Sequence, residues 1–169
     1  MRHCGRHLLA LAVGAVVASI AVASIGAATG VVARSGGVQL DLPSGWSKVV
    51  PTHEDRVEDP RTLLVIGTDG VKAIESDCQV SSYRVPADGA VVVVIGWRDS
   101  VGASGFLPLS TMKLRRGTFE CFPGRGAVGR IMRRDRDFQV NVMVGDRASA
   151  ATVDAALDAA RSLGLAPRA

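Results

Sequence analysis

Ala90-Val91-Val92-Val93-Val94-Ile95-Gly96-Trp97 decides how this chain folds. Four consecutive valines and an isoleucine offer no polar face to water. The stretch reads as a strand buried on both sides and central in its sheet. Toward the N-terminus, Val38-Gln39-Leu40-Asp41-Leu42 alternates with period two, as a half-buried strand does. Pro43-Ser44-Gly45 turns the chain, and Trp46 to Val50 returns as a second short strand. His53 to Pro60 is a charged loop. Thr62 to Ile66 is a compact buried strand, stopped by Gly67-Thr68-Asp69-Gly70. Ser76 to Arg84 admits a short helix capped by Ser76 or Asp77.

Toward the C-terminus, Asp99 to Ser110 reads as a long loop and Thr111 to Phe122 as a strand with Met112, Leu114 and Phe119 on its apolar side. Pro123-Gly124-Arg125-Gly126 is a turn. Val128 to Arg133 and Phe138 to Val144 form a hairpin around an Arg134-Asp135-Arg136-Asp137 tip. In its second arm Phe138, Val140, Val142 and Val144 face one way, and Gln139, Asn141 and Met143 the other. Ser149 caps a last helix whose apolar stripe is Val153, Ala156, Leu157, Ala160 and Leu163, and Gly164 ends it. Strands followed by a helix predict an α+β fold: an antiparallel sheet with a C-terminal helix packed on one face.

Ahead of this domain, Leu8 to Ala33 carries no charge. The run exceeds the ~20 residues that span a hydrocarbon core. Arg2 and Arg6 precede it and Arg34 follows, a bias that keeps the start cytoplasmic and sends the rest outside. The expected organisation is a basic start (1–7), a transmembrane anchor or signal helix (8–33) and an exported α+β domain (34–169). Both anchor and signal stay open. Ala21-Val22-Ala23 and Gly26-Ala27-Ala28 fit cleavage sites, whereas the run is longer than a typical signal core.

In an exported domain Cys78 and Cys121 form an even pair and are expected to be bridged, with two unrelated thiols as the alternative. Cys4 lies before the run. The chain has 20 basic and 16 acidic residues. Setting Arg2 and Arg6 aside leaves the domain with only a slight positive balance, and export argues against nucleic acid as a partner.

Leu42-Pro43-Ser44-Gly45-Trp46 is similar to the opening of PsbP-like domains. The wider layout resembles uncharacterised small exported domains of high-GC Gram-positive bacteria. The shared features are a cysteine after an early strand, Asp88-Gly89-Ala90 before the valine strand, a second cysteine before a basic hairpin, and a closing Ala-rich helix. The PsbP-like resemblance implies an accessory or binding role by fold alone.

The catalytic motifs are weak. Gly124-x-Gly126-x-x-Gly129 matches a dinucleotide fingerprint, but the following residues are too short and too charged for the helix that motif needs. His53, Cys121 and Arg130 follow the order of a sortase-like cysteine transpeptidase, the alternative reading, with Cys121 as thiolate. Gly117-Thr118-Phe119-Glu120 stands where that family carries Thr-Leu-x-Thr. Gly102-Ala103-Ser104-Gly105 would need His53 as its base, and one histidine with two bridged cysteines makes no zinc site. Glu54, Asp55, Glu58 and Asp59 read as a solvated acidic loop. No cofactor, metal or catalytic residue is expected.

Between Lys113 and Arg136 stand eight basic residues against Glu120 and Asp135. Arg130, Arg133 and Arg134 are the candidate anion-binding patch. Its expected partner is an anionic lipid, a wall polymer or another envelope protein, and reversing the three arginines to Glu is expected to leave the fold intact. The expected function is non-catalytic binding outside the cytoplasm, at the membrane through residues 8–33 or in secreted form. A reporter that works only outside the cytoplasm, fused after Ala169, should be active; activity confined to a cytoplasmic reporter would overturn the topology.

Overall fold

The computed structural model describes residues 30–50, 59–78, 82–98, 107–133 and 136–167. The uncharged run up to residue 29, His53, Glu54, Asp55 and Glu58, Ser104 with its flanking glycines, and Arg134 lie outside the described residues. Among the described residues no helix is long and apolar enough to cross a membrane.

The strands are β1 (Val32–Ser35), β2 (Val38–Asp41), β3 (Trp46–Lys48), β4 (Arg61–Thr68), β5 (Lys72–Ala73), β6 (Tyr83–Arg84), β7 (Ala90–Gly96), β8 (Arg115–Arg116), β9 (Arg125–Arg133) and β10 (Arg136–Val144). Helix α1 (Ala150–Arg161) and strand β11 (Gly164–Leu165) close the chain. The main sheet runs β3-β4-β7-β10-β9-β8, antiparallel between every neighbouring pair. A small sheet, β1-β2-β11, and the β5-β6 pair complete the described strands. The α+β class and the C-terminal helix on one face are as the residue pattern predicts.

Every residue of β7 is buried. Its valines divide by alternation. Val92 and Val94 join Leu64, Ile66, Phe138, Val140 and Val142 under α1 and the small sheet. Val91, Val93 and Ile95 join Val65, Tyr83 and Met143 on the opposite face. Each such side chain contributes about 1.5–3 kcal/mol when fully buried, so the sheet is stable only with apolar cover on both sides. On the helix face Ala156, Leu157, Ala159 and Ala160 of α1 supply it, with Val38 and Leu40 of β2. On the other face Tyr83 is buried with Val71, Ala73 and Val85 packed beside it. A bulge in β4 between Thr62 and Leu64 turns Leu63 toward Gly96 and Gly36, the two glycines whose missing Cβ leaves it room.

Four expectations are corrected. The domain begins earlier than Arg34, because Val32 and Ala33 belong to β1 and Ala33 is 3% exposed. Thr111–Phe122 is not a strand over its length; only Arg115–Arg116 pairs, with β9. A straight strand cannot hold its apolar side chains where they are needed. Leu109 and Met112 meet Gly129 on the helix face of β9, while Phe119 crosses to Gly126 on the other face. A short 3₁₀ turn (Leu109–Thr111) and Gly117 at φ 67° make that crossing. Asp137 is not part of an exposed tip but sits in β10, 1% exposed. Gly164 does not terminate the helix. Ser149 Oγ accepts the Thr152 N–H at 3.1 Å as predicted, but the helix stops at Arg161. The Ser162 hydroxyl then takes the Asp41 N–H at 2.8 Å, which steers Gly164 and Leu165 into β11 beside β2. The described part of Ser76–Arg84 contains β6 and no α-helix.

The sulfurs of Cys78 and Cys121 lie at disulfide-bonding distance, with their Cα atoms 6.6 Å apart. The pair ties the β5-β6 region to the 119–122 turn, and Phe119 and Phe122 pack on the same apolar cluster as Tyr83. With the partners 43 positions apart in sequence, chain-entropy reasoning assigns the bridge roughly 4 kcal/mol. Cys78→Ser with Cys121→Ser, or reductant on the natural chain, should each lower the urea-unfolding free energy by about that amount. Indifference to reductant would show that the pair does not hold the cover in place.

Candidate functional site

Strand alternation breaks up the arginine patch. Ile131 pairs with Phe138 and lies on the helix face, so Arg133 lies there too and Arg130 lies on the opposite face. Arg134 is outside the described residues. The two describable members of the patch therefore leave β9 on opposite faces, although both line one groove at its edge.

Arg130 is held by its surroundings. Its guanidinium stacks over Trp97 with 4.8 Å to the ring centroid, and its Nη2 donates to Asp137 Oδ2 at 3.3 Å. Asp137 is buried and Arg130 is 23% exposed at its side chain. The polar row continues along β10, where Gln139 Nε2 donates to Asn141 Oδ1 at 2.9 Å. A cation stacked on an aromatic ring and paired with a buried carboxylate is a structural group first. Reversing it to Glu would set two like charges side by side at a buried carboxylate, so the charge-reversed triple variant should not leave the fold intact.

The outer edge of β9 gathers the remaining cations. Arg130 N–H donates to Leu107 C=O at 2.7 Å, and Leu107 N–H donates to Arg130 C=O at 3.2 Å. Farther along, Arg115 stands opposite Gly126. Between these two pairings the covering chain has more residues than the strand it faces, so it arches away from the edge. The arch leaves a groove of about 420 Å³ lined by Lys113, Arg115, Arg116, Thr118 and Val128. A second groove, of about 500 Å³, is lined by Pro108 and Ser110 of the same arch, by Arg130, Met132 and Arg133 of β9, and by Arg161.

Lys113, Arg115 and Arg133 are exposed, and among the described residues none of them forms an ion pair with a carboxylate. Arg116 meets Asp146 at 3.0 Å, both more than half exposed, a pair worth ~0–1 kcal/mol. Arg161 meets Asp158 at 3.0 Å and donates to the Met112 carbonyl at 3.5 Å. The edge is thus a row of guanidinium and ammonium donors beside strand backbone. It can hold oxyanions.

Lys113, Arg115, Arg116 and Arg133 fall inside the basic stretch seen in the sequence. Arg161 was missed, because it is brought in by the packing of α1 and lies far from the stretch in sequence. Trp97 was missed as a partner of Arg130, since only the pairing of β7 with β10 places it there: Trp97 N–H donates to Asp137 C=O at 3.1 Å.

The other motifs take structural places. Gly124, Gly126 and Gly129 precede or lie in β9, and a Cβ at each would strike Phe122, Phe119 or Leu109 at 2.5–2.6 Å. The fingerprint is a set of packing seats on a strand, without the helix that would aim amides at phosphate. Cys121 is paired with Cys78 and has no thiol to ionise, which takes the nucleophile from the transpeptidase reading. Asp59 Oδ1 accepts the Arg98 N–H at 2.9 Å. Among the described residues no three His, Cys, Asp or Glu side chains gather into a metal site.

No protein-family model matches this chain, and neither a curated protein nor a solved structure matches it.

Arg130→Ala should cost roughly 3 kcal/mol of unfolding free energy by leaving Asp137 buried without this partner. Arg133→Ala should stay within about 0.5 kcal/mol of the natural chain. Urea melts compare them; equal effects would remove the structural role assigned to Arg130.

Proposed function

We propose that this chain is a non-catalytic binding module that works outside the cytoplasm. In this reading the uncharged N-terminal run holds it at the membrane or is cleaved to release it. The module grips an anionic envelope component along the outer edge of β9. The observation that carries the reading is the gathering of Lys113, Arg115 and Arg116 in one groove of that edge and Arg133 and Arg161 in the next. Exposed arginines without carboxylate partners keep most of their donors for a ligand, and their forked geometry suits phosphate and carboxylate. The similarity of Leu42-Pro43-Ser44-Gly45-Trp46 to PsbP-like domains supports an accessory role of this kind.

The attraction is electrostatic and exposed, so salt screens it over ~8 Å at physiological ionic strength. The chain should be retained on anionic liposomes or isolated cell-wall material at low salt and released as salt rises. Lys113→Glu with Arg115→Glu should abolish retention with little change in thermal stability, because neither side chain is buried. Retention that ignores both salt and this double variant would end the proposal.

A further inference from the structure

We infer that the anionic partner is a linear polymer of repeating oxyanions, laid along the β9 edge and entering both grooves at once. This rests on the anion-binding reading above and goes further, because it selects an extended chain over a flat lipid surface.

Two geometric facts carry it. The first is direction. Arg115 lies opposite Gly126, and Gly126 shares the face of β9 that carries Arg130. Arg133 shares the helix face with Ile131. The cations therefore change sides of the sheet along the edge, and a planar bilayer cannot lie against both sides together. A flexible chain can follow the edge from one side to the other. The second is length. From Gly126, opposite Arg115, to Arg133 the strand advances seven residues, about 23 Å at ~3.3 Å per residue. A single phosphate or headgroup reaches one groove only. A polymer that reaches both gains the second contact at high effective concentration, which raises affinity by roughly 10²–10⁴ over a single-groove ligand.

The grooves meet at the Leu107–Arg130 pairing, where Leu107 is 47% exposed. The arch divides between them, with Pro108 and Ser110 lining one groove and Thr111 and Lys113 the other. The arch between them is pinned by Leu109 and Met112 against Gly129, so the spacing is built into the fold rather than formed on binding.

The test uses the full chain and labelled long-chain inorganic polyphosphate in fluorescence anisotropy. Tripolyphosphate serves as the short competitor at equal phosphate, and phosphatidylglycerol vesicles as the flat surface. The long chain should bind about 100-fold more tightly than tripolyphosphate. Lys113→Glu with Arg115→Glu in one groove, and Arg133→Glu in the other, should each weaken the long chain about tenfold or more and reduce its advantage over tripolyphosphate. Arg133→Gln and Lys113→Gln serve as milder variants, and circular dichroism checks the fold of each. Equal affinity per phosphate at both lengths, or a loss confined to one groove, would overturn the two-groove inference. Salt-sensitive retention on vesicles without a preference for the long chain would overturn the inference while sparing the anion-binding reading. No binding to polyphosphate, vesicles or cell-wall material would overturn both.

Discussion

The burial of β7 on both faces is the constraint from which the rest of this structure follows. Residues 90–96 have no side on which water is tolerated. Removing apolar area from water is the main favourable term in folding, so a sheet built on this strand needs two covers. The two are built differently. On one face α1 and the β1-β2-β11 sheet lie down as regular elements. On the other, the cover includes the short β5-β6 pair and the Phe119–Phe122 turn, both tied to the Cys78–Cys121 pair. A cover made of short strands and turns has little cooperativity of its own. A crosslink is an economical way to keep it down, since it acts on the entropy of the unfolded chain rather than on the packing.

The same constraint shapes the candidate site. β10 is paired on both sides, by β7 and by β9, so its polar residues cannot reach solvent at an edge. Asp137 is buried there and needs a cation, which Arg130 provides from the neighbouring strand. That leaves binding to residues outside the sheet interior. The covering chain 107–119 crosses β9 on two glycine seats, Gly129 under Leu109 and Met112 and Gly126 under Phe119, and its arch creates concave spaces at the edge that side chains of the sheet alone would not make. Part of the site is therefore the covering chain itself, which supplies Lys113, Arg115 and Arg116.

Much of the fold was legible because its elements declare themselves by period. The valine run, the Phe138–Val144 alternation and the Ala-rich helix with its Ser149 cap each combine local propensity with a buried face, and each stands where the pattern placed it. What was illegible depends on contacts distant in sequence. Met112, Leu114 and Phe119 look like the apolar side of one strand until Gly129 receives Met112 and Gly126 receives Phe119 from opposite sides. Gly164 looks like a helix stop until β2 offers it an edge. Arg130 and Arg133 look like neighbours because they stand three positions apart, and in a helix they would be. In a strand that odd separation puts them on opposite faces. The charge imbalance was visible in the sequence; which of its members could act together was not, because that depends on register and on Arg161 arriving with α1.

Cations on a sheet edge have a second common use, which is to deter edge-to-edge pairing with another molecule. The two edges of this sheet allow the uses to be separated. At the β3 edge Lys48 donates its Nζ to the Arg34 carbonyl at 2.9 Å, so that cation is spent inside the molecule. At the β9 edge guarding is already performed by the covering chain, through the paired amide and carbonyl of Leu107 and the short strand β8. An edge that is already covered does not need five cations to keep strangers away. Lys113, Arg115 and Arg133 stand beyond that cover, with their charges directed to solvent and not to carboxylates of the fold. Their placement is more economically explained by a ligand that approaches the edge than by the protection of it, and this is why the functional reading rests on these residues and not on the better-packed Arg130.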